Sequence, residues 1–257
     1  MGRRLGFWPR FAIAVVKPPL FLLTKRSWSG MEHIPAEGGL IIAANHLSEF
    51  DPLIISHFVN DAGRWPQFLA KSSLFSVPGL GSFLRWCKQI PVHRGTADAA
   101  KSLDAAAAAI LAGEGVIIYP EGTTPKSGDL WPERGKTGVA RLFLRTGAPV
   151  VPVVSWGPQR LLDPRTRKFT LRPRTPVTVI AGPPIDLSKW EGAEPTAANL
   201  YAITDEIMTV LRDMLSQIRG ESVPVRPGNA PSGALGGGAG GDGRGGIDGG
   251  GEGGSRA

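Results

Sequence analysis

The chain has one cysteine, Cys87, among its 257 residues, so it cannot form an internal disulfide. It has no uninterrupted run of about 20 apolar residues, the length that a helix needs to cross a bilayer core. No small-residue cleavage site follows an apolar run near the N-terminus, so no secretory leader is indicated. Hydrophobic residues still make up 42% of the chain, which is enough for one sizeable core. We therefore expect one cytoplasmic domain with appendages.

Acidic residues are absent from the first 30 positions, although this segment contains several cations. These are Arg3, Arg4, Arg10, Lys17, Lys25 and Arg26. Their spacers include Leu, Phe, Trp, Ile and Val, and cations interleaved with bulky apolar side chains favour the headgroup level of an anionic membrane. We predict a membrane-associating segment over residues 1–28, in which Pro18 and Pro19 are expected to interrupt any helix. An ordinary amphipathic helix folded on the domain is the alternative.

The other end of the chain, residues 221–257, is dominated by glycine and is predicted to be a disordered tail. Between the two ends, short apolar runs alternate with segments of helical spacing. The predicted strands are residues 39–44, 67–70, 89–92, 116–119, 150–155 and 177–181. The predicted helices are residues 52–59, 76–86, 96–111, 135–145 and a last one capped by Thr196. This alternation predicts an α/β sandwich over residues 29–220, in which helices cover a largely parallel or mixed sheet.

A histidine and an aspartate follow the first predicted strand. His46 and Asp51 stand five positions apart at a strand-to-helix turn. The carboxylate can fold back to hold one imidazole nitrogen, which leaves the other free to accept a proton from an alcohol that attacks a carbonyl. Such a pair resembles a catalytic triad without its serine, with a substrate hydroxyl as the nucleophile. A capping aspartate beside a structural histidine is the alternative explanation of this spacing.

Other kinds of site lack the residues they need. No serine occurs in a Gly-x-Ser-x-Gly turn, so the sequence offers no nucleophile elbow. No cysteine or second histidine stands at ligand spacing from His46, so we expect no bound metal. The formal net charge of +7 also suits a nucleic-acid-binding protein. However, the chain has no helix dense in Arg or Lys and no basic-aromatic strand pattern, so we expect no nucleic-acid partner.

Two further polar clusters follow later predicted strands. Glu121, Gly122 and Thr123 leave the strand that ends at residue 119, and Lys126 adds a cation to the same turn. Exposed amides and a cation at a strand end can bind an anion. Arg94 follows the strand at residues 89–92, where a guanidinium can form two hydrogen bonds to a phosphate. Taken singly, a chain-reversing turn and a solvated arginine remain alternative explanations.

Together and in this order, the clusters resemble the sequence blocks of the glycerolipid acyltransferases, in particular the bacterial 1-acyl-glycerol-3-phosphate acyltransferases. The resemblance covers about residues 29–190. The matching blocks are Asn45-His46 with Asp51, Gly81-Ser82-Phe83-Leu84 through Pro91-Val92-His93-Arg94, Pro120-Glu121-Gly122-Thr123, and Val151-Pro152-Val153. Four blocks in the order of the family are far more specific than any one of them.

The resemblance implies transfer of a fatty acyl group to the free hydroxyl of lysophosphatidic acid, giving phosphatidic acid for phospholipid biosynthesis. The implied donor is an acyl coenzyme A or acyl carrier protein thioester, with no bound cofactor. In this interpretation His46 is the general base and Asp51 orients it. The implied acceptor-binding residues are Arg94, Glu121, Gly122, Thr123 and Lys126. The family's fold is an αβ sandwich with an N-terminal helical element on the membrane, so we expect a peripheral or monotopic protein on the cytoplasmic face of the cell membrane.

One position departs from the family's pattern. The third block usually continues with an arginine after the threonine, and this chain has Thr124 there. Lys126, Arg134 or Lys136 is expected to supply the missing cation if the acceptor carries a phosphate. The alternative within the superfamily is another acceptor, such as glycerol-3-phosphate, a different lysophospholipid or a glycolipid. A peripheral membrane protein with an inactive site is the remaining alternative, which the presence of both members of the histidine–aspartate pair disfavours.

Overall fold

The structure, a computed structural model, describes residues 5–92, 99–125 and 128–224. Within these ranges the helices are α1 Phe7–Leu23, α2 Asp51–Asp61, α3 Leu80–Trp86, α4 Ala99–Leu111, α5 Gly138–Thr146 and α6 Ala197–Arg219. The strands are β1 Thr24–Ser29, β2 Leu40–Ala44, β3 Gln67–Lys71, β4 Ile90–Val92, β5 Gly115–Ile118, β6 Val150–Trp156 and β7 Thr175–Ala181. Of the predicted Gly-rich tail, the part from residue 225 onward lies outside these ranges.

The described strands form one sheet in the order β1-β7-β6-β2-β5-β3-β4. Neighbouring strands run parallel except for β6 and β7, which are antiparallel. Every residue of β2 is buried, as expected for a central strand covered on both faces. The predicted α/β sandwich with a mixed sheet is therefore confirmed.

Helices cover both faces of this sheet. Successive residues of β2 point to opposite faces, so Ile41 packs in a core with α4, α5 and α6, whereas Ile42 packs in a second core with α2. The last helix, α6, begins at the predicted cap, because the Thr196 hydroxyl accepts a hydrogen bond of 3.2 Å from the Asn199 backbone N–H. Both faces of the central strands are thus closed to water, and only the strand ends are open to form a site.

The N-terminal segment differs in two ways from its sequence-based prediction. The helix α1 runs through Pro18 and Pro19, so the expected interruption is wrong. Both prolines are exposed, as are Ala14 and Val15, whose carbonyls lose their helical partners on the outer side of the helix. In addition, β1 pairs in parallel with β7 and forms an edge of the sheet. No helix in the described part of the chain combines the length and apolar character that a bilayer span requires.

Candidate active site

The candidate site lies where three parallel strands end. The central strands β2, β5 and β6 run in the same direction, so their carboxyl ends meet at one edge of the sheet. His46 and Asp51 follow β2, Glu121 follows β5, and Ser155 lies near the end of β6. The fold therefore brings together residues that are separated by more than 100 positions in the chain.

The imidazole of His46 is held by a buried carboxylate. Its Nδ1 lies 3.1 Å from Oδ2 of Asp51, whose side chain is 0% exposed, and the His46 side chain itself is 13% exposed. Within the described residues, Nε2 of His46 has no hydrogen-bond partner. One ring nitrogen is therefore oriented by the protein, and the other is available to a bound molecule.

The Asp51 carboxylate is fixed by further hydrogen bonds. The backbone N–H groups of Leu47 and Ser48 both donate to Oδ2, the second over 2.8 Å, and the hydroxyl of Ser155 lies 3.5 Å from Oδ1. Asp51 is also the first residue of α2, and a helix dipole stabilises negative charge at that end. The carboxylate is therefore held in one position beside the imidazole, where a negative charge can stabilise a positive charge on His46.

Asn45 ties this turn to the neighbouring strand. Its side-chain Oδ1 accepts a hydrogen bond of 2.8 Å from the Ser155 N–H, and its Nδ2 donates to the Ser155 carbonyl over 3.1 Å. The amide thus replaces one step of a strand ladder where β2 has already ended. This pairing fixes the direction in which the chain enters the turn that carries His46.

The ring of Tyr119 packs flat against the imidazole of His46. The rings of His46 and Tyr119 are 4.2 Å apart with an interplanar angle of 17°. Burial, together with the nearby Asp51 carboxylate, raises the pKa of the Tyr119 hydroxyl well above its usual value, so it stays protonated. The face of an aromatic ring attracts cations, so this stacking favours the imidazolium that forms when His46 accepts a proton.

Glu121 supports His46 from the carboxyl end of the neighbouring strand, β5. Its Oε1 accepts a hydrogen bond of 2.9 Å from the His46 backbone N–H, and its Oε2 is buried without a partner. Burial raises the pKa of Glu121 to about 8, and the Asp51 carboxylate adds to the rise, although the His46 N–H opposes it. The carboxyl is therefore mostly protonated at neutral pH and links the β5 turn to the β2 turn.

Replacing Glu121 with glutamine is expected to remove part of the pH dependence of stability. The pKa is about 8 in the native state and about 4.3 in an unfolded chain, so this group's contribution is full below about pH 4 and is lost as the pH rises through 8. Glutamine keeps an oxygen for the His46 N–H but does not titrate. Between pH 5 and 9 the variant should gain on the wild type by on the order of a few kcal/mol in unfolding free energy.

Thermal and urea unfolding at several pH values would measure this difference. The exposed Glu191→Gln variant is the control, because it removes a carboxyl from the surface and should follow the wild type across the same range. Parallel stability curves for wild type and Glu121→Gln would contradict a raised pKa at Glu121.

A lysine reaches the turn after β5. The Lys136 N–H donates to the Pro120 carbonyl over 2.8 Å, and the Lys136 ammonium lies 2.9 Å from where a Cβ on Gly122 would stand. Gly122 has φ +70°, so a glycine suits this position for both backbone and space. In contrast, the Arg134 guanidinium packs over Tyr201 at 4.5 Å. Among the residues that the structure describes, Lys136 is therefore the cation that approaches the Glu121–Thr123 turn.

Of the other predicted site residues, the structure describes Thr123 but not Arg94 or Lys126. Thr123 is exposed in the same turn as Glu121. Arg94 and Lys126 lie outside the described residues, so their predicted roles stay predictions. Within the described ranges, no three His, Cys, Asp or Glu side chains are grouped as metal ligands.

Three contributors to the site were not predicted from the sequence. The bonding role of Asn45 has a weak signal, a polar amide directly after a buried apolar run. Ser155 and Tyr119 have none, because their contacts with Asp51 and His46 depend on strand register.

An oriented imidazole with one open nitrogen at the carboxyl edge of an α/β sheet defines a class of site, one that can remove a proton from a bound hydroxyl.

Comparison with known proteins narrows this class. A family model described as "Acyltransferase" matches residues 25–156, slightly more than half of the chain, and the matched range includes β1 to β6 with His46, Asp51 and Glu121. The chain belongs to this acyltransferase family.

Individual relatives show how far the similarity extends. An uncharacterised protein of Mycobacterium tuberculosis is 34% identical over 230 residues, covering 78% of this chain and 61% of the relative. The chain thus spans about three fifths of the length of that relative. A 1-acyl-sn-glycerol-3-phosphate acyltransferase of Borreliella burgdorferi is 32% identical over 126 residues, 49% of this chain and 48% of the relative. The crystal structure of the lysophosphatidic acid acyltransferase PlsC from Thermotoga maritima shares the fold, with a TM-score of 0.61, 23% identity, and coverage of 84% of this chain and 80% of that one.

Proposed function

We propose that this protein transfers a fatty acyl group from an acyl thioester to the free hydroxyl of lysophosphatidic acid, forming phosphatidic acid. The observation that carries the proposal is the His46 imidazole, whose Nδ1 is bonded to the buried Asp51 carboxylate while Nε2 is open. Membership of the acyltransferase family and the lysophosphatidic acid acyltransferase names of several relatives support the reaction type and the acceptor.

The proposed reaction needs one base and no enzyme nucleophile. Nε2 of His46 accepts the proton of the acceptor hydroxyl as its oxygen attacks the thioester carbonyl, and the Asp51 carboxylate and the Tyr119 ring stabilise the imidazolium. Collapse of the tetrahedral intermediate breaks the carbon–sulfur bond. The imidazolium then returns its proton to the departing thiolate, so the free thiol and the new ester are the products. The donor is acyl coenzyme A or acyl carrier protein, and no bound cofactor is needed.

We further propose that the reaction takes place at the cytoplasmic face of the membrane. The outer side of α1 carries several exposed apolar side chains, namely Phe7, Phe11, Val15 and Leu22. Cations of the same segment, such as Arg10, stand beside them. A helix with this combination suits a position in the headgroup region, where a lipid acceptor is available.

Binding of the acceptor phosphate is assigned to the β5 turn and its surroundings. Arg94, Glu121, Gly122, Thr123 and Lys126 stay the proposed acceptor-binding set. Lys136 is added to it, because its ammonium approaches Gly122 and it has no ion pair among the described residues. This cation stands in for the arginine that Thr124 replaces. The alternative, another acceptor such as glycerol-3-phosphate, a different lysophospholipid or a glycolipid, is favoured only by Thr124.

Replacing Lys136 with alanine is expected to raise KM for lysophosphatidic acid by about 10-fold or more with little change in kcat. A hydrogen bond to a charged group contributes about 1.5–3 kcal/mol, and its loss weakens ground-state and transition-state binding alike. Steady-state kinetics would measure both constants. Monoacylglycerol, which lacks the phosphate, should be indifferent to the change, and Arg134→Ala is the matched control from the same loop. An unchanged KM would place the phosphate elsewhere.

The acceptor itself is tested by assaying the full chain with a long-chain acyl thioester and a panel of acceptors. The panel includes lysophosphatidic acid, glycerol-3-phosphate, another lysophospholipid and a glycolipid, and both free thiol and lipid product are followed. We expect lysophosphatidic acid to give the highest kcat/KM. A clear preference for another acceptor would keep acyl transfer and replace the substrate. Absence of product with every acceptor, both with acyl coenzyme A and with acyl carrier protein as donor, would contradict acyl transfer.

A further inference from the structure

The connection between β6 and β7 concentrates the positive charge of the protein. Residues 157–174 contain six basic residues and one acid, Asp163, which gives this segment a net charge of +5 when the whole chain has +7. The basic residues are Arg160, Arg165, Arg167, Lys168, Arg172 and Arg174. Neither the acyl-transfer chemistry nor the proposed acceptor-binding set makes use of them.

These charges are held on a folded ribbon. Leu162 and Phe169 form an antiparallel bridge, and the turn between them is closed by the Asp163 carboxylate, which accepts hydrogen bonds from Arg165 and Thr166 N–H groups at 2.9 and 2.7 Å. The ribbon is also fixed to the candidate active site, because the Ser48 hydroxyl donates to the Leu162 carbonyl over 2.6 Å. The backbone that carries these cations is therefore held beside the turn that carries His46.

Three of the arginines line one cavity of about 370 Å³. Its lining residues are Arg160, Leu171, Arg172, Pro173, Arg174, Thr175 and Pro176. No acidic residue is among them, and within the described residues none of the three guanidinium groups has an ion pair. Like charges around one cavity repel one another, and a bound anion relieves that repulsion while it accepts the guanidinium hydrogen bonds.

The backbone at Arg174 is unusual for an arginine. Its φ of 58° lies in the left-handed region, which is disfavoured for a residue with a Cβ, and its N–H donates to the Leu22 carbonyl over 3.1 Å. The cavity is thereby fixed to the C-terminal end of α1. A glycine would adopt this backbone without strain, and Arg167 of the same ribbon has a similar φ of 54°.

Exposed apolar side chains lie on the cavity wall or on residues close to it in the chain or in the fold. Leu171 is 70% exposed, Phe169 is 47% exposed, and Leu22 at the end of α1 is 74% exposed. Guanidinium groups next to outward apolar side chains match the cross-section of a bilayer surface, where phosphates lie just above the acyl chains. An acidic protein would satisfy the cations but would leave these apolar groups without a reason to be exposed.

We propose that the cavity lined by Arg160, Arg172 and Arg174 binds the phosphate group of an anionic phospholipid in the bilayer and holds the active-site edge against the membrane. The proposal rests on the membrane-surface position proposed above, but it does not depend on acyl transfer. It assigns to the β6–β7 connection a membrane contact that adjoins the exposed face of α1 at Leu22.

Vesicle binding tests this proposal. The full chain is mixed with phosphatidylcholine vesicles with or without phosphatidylglycerol, and the bound fraction is measured by co-sedimentation. The variant Arg160→Gln/Arg172→Gln should lose roughly 30-fold in partition onto the anionic vesicles, since each contact of a cation with such a surface changes binding by about 5-fold. The control Arg165→Gln/Lys168→Gln removes the same charge from the same ribbon outside the cavity and should lose only a few-fold.

Arg174→Gly separates binding from folding. Glycine adopts the left-handed backbone freely, so the melting temperature should equal or exceed that of the wild type while anionic vesicle binding falls about 5-fold. Binding equal to that of the wild type would overturn a role for this side chain.

The remaining outcomes identify what fails. Equal losses in the two double variants would mean diffuse attraction and would overturn the cavity. A second outcome would also contradict the bilayer assignment. Inorganic phosphate would raise the melting temperature of the wild type but not that of Arg160→Gln/Arg172→Gln, and the two double variants would bind vesicles to the same extent. The cavity would then bind a soluble phosphate. The proposal would also be overturned if Arg160→Gln/Arg172→Gln lost affinity for acyl carrier protein and kept its affinity for anionic vesicles. Absence of any vesicle binding by the wild type would reject the membrane position. Acyl transfer is measured independently, by the thiol assay.

Discussion

Replacing His46 with alanine is expected to lower kcat by about 10²-fold or more, because the acceptor hydroxyl then loses the base that removes its proton. The fold should survive, since the imidazole is partly exposed and its two neighbours, Asp51 and Tyr119, are held by other contacts. Thiol release and lipid product would be measured together, with vesicle binding and the melting temperature as checks that the protein is intact.

The matched control is His33→Ala. His33 lies beside β7, which β6 separates from β2, and its Nδ1 contacts the Ala181 carbonyl at 3.0 Å, so its removal should leave acyl transfer close to that of the wild type. Full turnover in His46→Ala would show that another group is the base. A variant that loses vesicle binding and its melting transition as well as turnover would report on folding instead, and His46→Gln would then be needed to keep the turn filled.

The sequence predicts the parts of this protein that depend on local pattern. The buried strand β2 has only apolar residues and is followed at once by Asn45 and His46, so both the strand and the polar turn after it could be recognised. The cap of α6 at Thr196 is equally local, because a threonine before a helical apolar pattern satisfies the first N–H groups by itself.

Other parts depend on contacts that a linear pattern does not contain. The strand β1 reads as a polar and basic segment, and it is a strand because an edge position needs a partner on one side only, which β7 supplies. Likewise, Pro18 and Pro19 interrupt hydrogen bonds but leave α1 continuous, since its contacts with α2 and α3 hold it, including the 2.5 Å ion pair of Lys17 with Asp61.

The candidate site shows the same division. The pairing of His46 with Asp51 follows from their spacing at a turn, and the structure gives it a distance. The approach of Lys136 to Gly122 does not follow from sequence spacing. It requires the hydrogen bond between the Lys136 N–H and the Pro120 carbonyl, which folds the loop back. The positive charge of residues 157–174 is visible in the sequence, but its arrangement around one cavity depends on the ribbon and on the backbone of Arg174.

Replacing Asp51 with asparagine is expected to lower kcat by on the order of 10²-fold or more while the fold is kept. The backbone N–H groups of Leu47 and Ser48 both donate to Oδ2, so they select the orientation in which the amide oxygen of asparagine occupies that place. This oxygen still accepts from Nδ1 of His46, so the tautomer is preserved. What is lost is the negative charge that stabilises the imidazolium during proton transfer.

Asp51→Ala and Asp61→Asn complete this test. Alanine leaves the Leu47 and Ser48 N–H groups without an acceptor, at about 1–3 kcal/mol each, so Asp51→Ala should be inactive and also less stable. Asp61 lies on the same helix with its Oδ2 3.5 Å from Nε2 of His57, so Asp61→Asn alters another histidine–aspartate pair away from the site. It also weakens the ion pair with Lys17 that helps to hold α1, but kcat should stay close to that of the wild type. If Asp51→Asn turned over within about threefold of the wild type, the carboxylate would serve only as an acceptor for the turn, and His46 would act without a charged partner.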